Sequence, residues 1–124
     1  MIALGDVYRI KMYLADGIKP KGKDTYRHKY IIIIGYDGVN YYAAVSTNTR
    51  DHHLVPIEFQ YPIKHNGYNC FVNCFKLHQV SSLRLTKDCH QGKISEDDFD
   101  LIIGCVKCSP RIPKNVLKKF KIIT

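Results

Sequence analysis

Four consecutive isoleucines at positions 31–34 restrict the folds open to this chain more than any other feature of its sequence. Successive side chains of a strand point to opposite faces, so a strand that lacks a polar face must be covered on both sides. A second β-rich run follows at residues 41–45. Asp37 and Gly38, between the two runs, are typical of a tight turn because glycine accepts positive φ and aspartate tolerates it. The stretch therefore predicts a β-hairpin whose first strand is covered on both faces.

Length and composition set the broad class of protein. A chain of 124 residues predicts one domain, residues 1–124, with a core of its own. The net charge of +8, from 19 Lys and Arg against 11 Asp and Glu, favours polyanionic partners, nucleic acid ahead of an anionic membrane. Apolar runs stay far shorter than the roughly 20 residues of a membrane helix, and the first residues lack the order of a secretory signal. We therefore expect a cytoplasmic protein with no membrane partner.

Strand-like patterns occur on both sides of the hairpin. Residues 5–13 alternate between two faces, as a half-buried strand does. One of these faces carries Val7, Arg9, Lys11 and Tyr13. Residues 15–29 contain five Lys and Arg with two Gly and one Pro, and predict a basic loop. Shorter strands are predicted at residues 54–59, 70–77 and 79–85, with a turn region at residues 61–69. Pro56 requires an edge or bulge position, and short strands at this spacing favour a small barrel.

Helical patterns begin only near the C-terminus. Ser95 is a suitable N-cap, and the acidic residues after it suit the positive end of a helix. Apolar residues then recur at helical spacing, at Phe99, Ile102, Ile103 and Val106. A helix over residues 96–108, stopped by Pro110, and a short basic helix over residues 113–120 are predicted. The fold class is therefore mainly β with C-terminal helices, and residues from about 96 to 124 form a helical, basic extension.

The order of these segments resembles the MazF/PemK/Kid family of bacterial toxin ribonucleases over roughly residues 4–106. The resemblance rests on Gly-Asp-Val-Tyr at residues 5–8, Lys-Tyr-Ile-Ile-Ile-Ile at 29–34, Ala-Ala-Val-Ser-Thr at 43–47, Leu-His-Gln-Val-Ser-Ser-Leu at 77–83 and Gly-Lys-Ile-Ser-Glu-Asp at 92–97. It implies an SH3-like small β-barrel and the toxin of a type II toxin–antitoxin system. It also implies an endoribonuclease that cleaves single-stranded RNA without metal or cofactor, a homodimer, and an antitoxin protein as partner.

The resemblance also implies a catalytic set. In the family reaction the ribose 2′-hydroxyl attacks the adjacent phosphate, which requires a base, an acid and cations. Lys29 stands in register with the catalytic arginine of the family, and Ser46 falls where the family has a hydroxyl. His28 and His78 titrate near neutrality and suit proton transfer. The expected catalytic residues are therefore Lys29, Ser46, His78 and His28, and they must converge in space.

A second set of residues is expected to bind RNA. Arginine can hold a phosphate with two hydrogen bonds, and lysine can hold it as a point charge. The tyrosines that lie among the basic residues suit stacking of unpaired bases. The expected RNA-binding residues are Arg27, Thr47, Lys76, Lys23 and Tyr30.

Plainer interpretations of the same residues remain open. His28 and Lys29 can be solvated loop residues, Ser46 and Thr47 can simply end a strand, and His78 can be a surface or hydrogen-bonded histidine. The chain would then be a catalytically inactive barrel that binds nucleic acid or a protein partner, or an adaptor that binds no nucleic acid.

Other chemistries receive little support from the sequence. Cys105 and Cys108 have a zinc-like spacing but lie on a predicted helix without a turn-forming knuckle, so no metal site is expected. The five cysteines, odd in number and irregularly spaced, favour reduced thiols over a disulfide framework. The chain has no phosphate-binding glycine loop, no dinucleotide fingerprint and no serine-esterase elbow.

Overall fold

The computed structural model describes residues 1–19, 22–47, 55–65 and 68–124, which form six antiparallel strands and two α-helices. The strands are β1 (Asp6–Tyr13), β2 (Tyr26–Tyr36), β3 (Asn40–Thr47), β4 (Gln60–His65), β5 (Tyr68–Ser81) and β6 (His90–Lys93). The helices are α1 (Glu96–Lys107) and α2 (Lys114–Lys119). The prediction of a mainly β chain with C-terminal helices is confirmed. Among the described residues, no helix is long and apolar enough to cross a membrane.

The predicted hairpin forms the centre of the sheet, whose strand order is β4-β5-β3-β2-β1-β6. Its two strands, β2 and β3, pair Ile31 with Val45. At the turn, the Asp37 carboxylate accepts hydrogen bonds from the amides of Val39 at 2.8 Å and Asn40 at 2.6 Å. Gly38 adopts a φ of 101°, which favours glycine at this position. The turn chemistry predicted from the sequence therefore fixes the register of the two central strands.

The four isoleucines supply both faces of the sheet, and each is at most 1% exposed. On one face, here called the helix face, Ile32 and Ile34 join a core that includes residues of α1 and α2. On the other, here called the loop face, Ile31 and Ile33 join a core that connecting segments cover. The covering residues are Ile18, Leu85 and Cys89. Burial of each isoleucine contributes about 1.5–3 kcal/mol, so the sheet is held from both sides.

Two predicted boundaries are wrong. Residues 26–29, predicted as loop, form the start of β2, because Tyr26 to Lys29 pair with β1. A strand is predicted at residues 54–59, of which residue 54 lies outside the described residues. Ile57–Phe59 form a 3₁₀ turn instead, and the strand β4 begins directly after it. Most of β4 falls within the turn region predicted at 61–69. Pro62 tolerates this position because β4 is an edge strand, where a missing amide donor breaks no ladder hydrogen bond.

The strands predicted at residues 70–77 and 79–85 are one strand, β5, which contains a bulge. Ala44 pairs with Leu77 and Ser46 with Val72, so residues 73–76 stand opposite Val45 alone. The Asn73 side chain accepts hydrogen bonds from the amides of Phe75 and Lys76. The Ser109 hydroxyl, in the segment after α1, donates to the Phe75 carbonyl at 2.7 Å. These bonds satisfy main-chain groups that the bulge removes from the ladder.

The C-terminal segment docks against the hairpin on the helix face. Ser95 caps α1 by accepting a hydrogen bond from the Asp98 amide at 3.1 Å, as predicted. After α2, the Phe120 carbonyl accepts a hydrogen bond from the Tyr36 amide at 3.1 Å. A Cβ at Gly35 would lie 2.8 Å from that carbonyl oxygen, so the contact requires glycine. The approach of the chain to β2 therefore depends on the absence of a side chain at one position.

Candidate nucleic-acid interface

The pleat of the sheet separates the residues that were expected to form one catalytic site. Lys29 pairs with Ile10, and His78 pairs with Ala43, which places both on the loop face. Ser46 pairs with Val72 and lies on the helix face, where it is 5% exposed. Its hydroxyl donates a hydrogen bond to the Tyr30 carbonyl at 3.1 Å. The structure therefore does not bring Ser46 together with Lys29 and His78.

His78 is occupied by contacts within the protein. Burial lowers the pKa of its imidazole, and so does the charge of Lys76. Asp16, through its charge and its main chain, acts on this pKa in the opposite direction. Asp16 ends a 3₁₀ turn, Leu14–Asp16, that follows β1. His78 therefore lies half-buried on the loop face, beside this turn.

The expected RNA-binding residues are distributed over several surfaces. Arg27 pairs with Met12 and lies on the loop face, and Lys76 extends towards Gly17, where a Cβ would lie 3.2 Å from its Nζ. Lys23 is exposed before β2, whereas Tyr30 is half-buried against the core of the helix face. Thr47 ends β3 opposite Phe71, and its side chain lies outside what the structure describes.

His28, another predicted catalytic residue, lies among basic and aromatic side chains. It pairs with Lys11 across the ladder between β1 and β2, as Tyr26 pairs with Tyr13. Because alternate residues of a strand share a face, these four side chains project to the same side as Arg9, which is the helix face to which Val7 also belongs. We call the group the basic–aromatic strip, and it consists of Arg9, Lys11, Tyr13, Tyr26 and His28.

Short contacts order the side chains of the strip. The Tyr26 ring centre lies 5.3 Å from that of His28, edge to face, and 5.9 Å from that of Tyr13. The Lys11 ammonium nitrogen lies 4.7 Å from the centre of the Tyr26 ring. A cation at this distance from a ring face is attracted to it, so the aromatic groups and the cation support one another.

The strip has the electrostatics of a phosphate site that carries a neutral base. Loss of hydration lowers the pKa of His28, and the positive charges of Arg9 and Lys11 lower it further. The imidazole is therefore neutral at pH 7 and able to accept a proton. The two cations beside it can neutralise a phosphate at the same time.

A cleft of about 500 Å³ opens beside the strip, along the edge of β1. In the described part of the chain, β6 pairs with β1 only at Asp6, Val7 and Tyr8, which leaves the edge beyond them to the connecting segments. The lining residues are Arg9, Ile10, Lys11, Tyr13, His28, Leu83, Arg84, Thr86, Asp88, Cys89 and Gln91. Three of these are Arg or Lys and one is Asp, so the cleft favours an anionic ligand.

Arg84 contacts the edge of β1 at one end of the cleft. Its Nη2 donates to the Lys11 carbonyl at 2.5 Å, and its guanidinium contacts both oxygens of the Asp16 carboxylate at 2.9 and 3.1 Å. Burial by itself would raise the pKa of Asp16, but the hydrogen bonds from Arg84 and from the Tyr13 amide lower it. The pair therefore fixes the turn after β1 against the segment after β5.

The alternating pattern of residues 5–13 places Arg9 and Lys11 on one face of a strand, but this pattern alone did not identify the site. Both belong to the alternating face of residues 5–13, but the loop predicted up to residue 29 left them without a partner strand. Extension of β2 back to Tyr26 supplies that partner. Within the described ranges, no group of three His, Cys, Asp or Glu side chains is placed to hold a metal ion.

Comparison with known proteins adds no relative. A scan against models of protein families found no match, and a search of curated protein sequences found none either.

Proposed function

We propose that the protein is an endoribonuclease of the MazF/PemK type, the toxin of a type II toxin–antitoxin system, which binds single-stranded RNA along the basic–aromatic strip. The observation that carries the proposal is the placement of His28 beside Arg9 and Lys11, in contact with the Tyr26 ring. Tyrosine rings stack on unpaired bases and the cations hold the phosphates between them. Cleavage of the strand inhibits growth by removing mRNA.

The reaction needs no metal in this proposal. The neutral imidazole of His28 accepts the proton of the ribose 2′-hydroxyl, whose oxygen attacks the adjacent phosphorus. The bond to the 5′-oxygen breaks, and that oxygen takes a proton from the imidazolium or from water. The products are a 2′,3′-cyclic phosphate and a 5′-hydroxyl. Arg9 and Lys11 neutralise the charge that builds on the phosphorus oxygens, which stabilises the transition state.

The resemblance of the sequence to the family supports the finer features of the proposal. These are an SH3-like barrel built from the observed antiparallel strands, a homodimer, an antitoxin that neutralises the enzyme, and a cytoplasmic location. A short antitoxin with acidic side chains complements the net charge of +8.

End-labelled single-stranded RNA, incubated with the protein in EDTA, tests the proposal. Cleavage should persist in the chelator, yield cyclic-phosphate ends and fall by about 10²–10⁴-fold in His28→Ala. His78→Gln is the matched control, because His78 lies on the opposite face and its replacement should leave the rate per folded molecule unchanged. RNA that stays intact with the wild-type protein, under conditions in which it binds, contradicts an enzyme.

The catalytically inactive barrel is the second candidate, and one observation favours it. The hydroxyl of Ser46 is buried, bonded to the Tyr30 carbonyl and on the opposite face from Lys29. A protein that binds RNA without cleaving it would show affinity that falls with salt and an intact strand after long incubation.

A further inference from the structure

The positive charge of the chain is concentrated at its C-terminal end. Residues 107–124 contain six Lys and Arg and no Asp or Glu, whereas the other 106 residues carry 13 cations against 11 carboxylates, a net of +2. The six are Lys107, Arg111, Lys114, Lys118, Lys119 and Lys121, and all are exposed. We call them the C-terminal cationic surface. The basic–aromatic strip uses none of them.

The backbone beneath these cations is fixed. α2 turns Leu117 into the core, and Phe120, directly after it, is also buried. The segment is held to β2 by the hydrogen bond between Phe120 and Tyr36. Lys114 and Lys118 are one helical turn apart, so their side chains project from the same side of α2. The cations are therefore presented by an ordered element rather than by a loose tail.

Two of the cations have partners for their side chains, and a third lies where a helix dipole favours it. The Arg111 guanidinium carbon lies 5.1 Å from the centre of the Phe75 ring. The Lys119 ammonium lies 3.7 Å from the Asp37 carboxylate and 5.5 Å from the centre of the Phe120 ring. The Lys107 side chain lies in the last turn of α1, where a cation is favoured by the helix dipole. Only Lys119 of these three has an ion pair with a carboxylate in the described structure.

The apolar residues of the segment decide between two kinds of polyanion. A helix that binds a membrane surface needs an exposed apolar face to insert into the lipid. Leu117, Phe120 and Ile122 are 2%, 2% and 9% exposed, because they fill the core instead. The exposed side of α2 offers cations without apolar anchors, which fits the phosphates of a nucleic acid better than lipid headgroups.

We propose that the C-terminal cationic surface is a second phosphate-binding surface, which holds the same RNA strand at a distance from the basic–aromatic strip. The identity of the ligand in this inference rests on the proposed function. The strip lies at the start of β2 and the docked C-terminal segment at its end. The two surfaces flank one strand, so a single RNA can reach both only if it is long enough.

The separation of the two surfaces sets that length. His28 is seven residue steps along β2 from Gly35, the position at which Phe120 contacts the strand. At about 3.3 Å per residue this corresponds to about 23 Å along the strand. A stacked nucleic-acid strand advances about 3.4 Å per nucleotide, so about seven nucleotides are needed to span the distance. A tetramer reaches the strip alone, whereas a dodecamer reaches both surfaces.

Fluorescence anisotropy with 2′-O-methyl oligonucleotides, which cannot be cleaved, tests the inference. Binding of a tetramer and a dodecamer is measured over a series of salt concentrations for the wild type and for K114Q/K118Q. The control K64Q/K93Q removes the same charge from β4 and β6, where both lysines are exposed. Thermal unfolding of each variant checks that the fold is retained, as expected for exposed positions.

The substitutions are expected to affect binding of the two oligonucleotides differently. In K114Q/K118Q the dodecamer should bind several-fold more weakly. The slope of log affinity against log salt concentration should become shallower by about 1.4, because each of the two lost phosphate contacts with a single strand contributes about 0.7 to it. The tetramer and the control variant should be unaffected. An unchanged dodecamer, or an equal loss in the control, overturns the second surface while binding of the tetramer still supports the strip.

Two further outcomes are decisive. If the wild type binds neither oligonucleotide, the proposed RNA binding fails and the second RNA surface fails with it. If the wild type binds anionic phospholipid vesicles and K114Q/K118Q does not, while the dodecamer is indifferent to the substitution, the cationic surface serves a membrane and the inference is overturned.

Discussion

His28 on β2 and Lys11 on β1 are direct partners across the ladder, and both face the same side of the sheet. Loss of hydration lowers the pKa of a histidine in this position, and the charges of Arg9 and Lys11 lower it further, which favours the neutral imidazole at the pH of the cell. His78, by contrast, lies half-buried on the other face, where it pairs with Ala43. The cross-strand partner, and not the residue type, therefore distinguishes the candidate base His28 from the structural residue His78.

The pH dependence of cleavage should report this pairing. A base must be deprotonated to act, so kcat/KM should rise with pH through the pKa of His28, which lies below its ordinary value of 6.5, and then level off. Lys11→Gln removes a positive charge, so it should raise that pKa and move the acid limb to higher pH. Lys11→Arg keeps the charge and should leave the limb in place. NMR titration of the His28 ring measures the shift directly; an acid limb that Lys11→Gln leaves unmoved contradicts the pairing.

Ser46→Ala separates a catalytic hydroxyl from a structural one. The structure uses this hydroxyl to satisfy the Tyr30 carbonyl inside the sheet, so its removal should cost about 1 kcal/mol of unfolding free energy. The rate of RNA cleavage per folded molecule should not change. Chemical denaturation and cleavage assays on the same preparation check both parts. A rate loss of tenfold or more at unchanged stability would return Ser46 to the catalytic site.

The ion pair of Arg84 and Asp16 should make stability depend on pH in the acid range. The folded-state pKa of Asp16 is lowered, so the pair contributes fully above the unfolded value of about 3.8 and loses its contribution as the pH falls through the folded pKa. Asp16→Asn should cost about 1–2 kcal/mol at pH 7, in line with a hydrogen-bonded ion pair that is partly exposed, and much less below both pKa values.

Urea denaturation at neutral and strongly acid pH measures this difference. Asp24→Asn, a change of the same kind at an exposed position in the segment before β2, is the control and should cost little at either pH. An Asp16→Asn penalty that is equal at the two pH values would show that the carboxylate does not act through its charge.

Two glycine substitutions should have opposite effects on stability. A Cβ at Gly35 would lie 2.8 Å from the Phe120 carbonyl oxygen and 2.9 Å from the Phe120 Cβ, so Gly35→Ala should force the C-terminal segment away from β2 and cost about 1–3 kcal/mol. Gly104 lies within α1 with nothing near its missing side chain, so Gly104→Ala should stabilise the helix by about 0.5–1 kcal/mol.

Thermal unfolding distinguishes the two variants, and proteolysis reports the release of the C-terminal segment in Gly35→Ala. If Gly35→Ala is as stable as the wild type, the close docking of Phe120 is not needed for the fold.

The sequence predicted the elements whose signals are local. The turn at Asp37 and the cap at Ser95 each depend on one or two residues and their immediate neighbours, and both form as expected. The isoleucines at 31–34 predicted burial on both faces, because no alternation was present to expose one of them. These features required no knowledge of which strands pair.

The candidate site depended on pairing, and pairing is not local. Register decides which residues share a face, and a bulge or a late strand start moves a side chain to the other side. Because β2 was expected to begin near residue 30, the pairing of His28 with Lys11 was not predicted. The bulge at residues 73–76, which depends on a hydrogen bond from Ser109, could not be read from the residues of β5 alone.

The most direct test of the account is an NMR map of the surface that RNA contacts. A ¹H–¹⁵N spectrum of the protein, titrated with an uncleavable single-stranded RNA, should show its largest shifts at Arg9, Lys11, Tyr26 and His28, on the helix face of β1 and β2. Shifts confined to the opposite face, at Lys29 and His78, would contradict the strip.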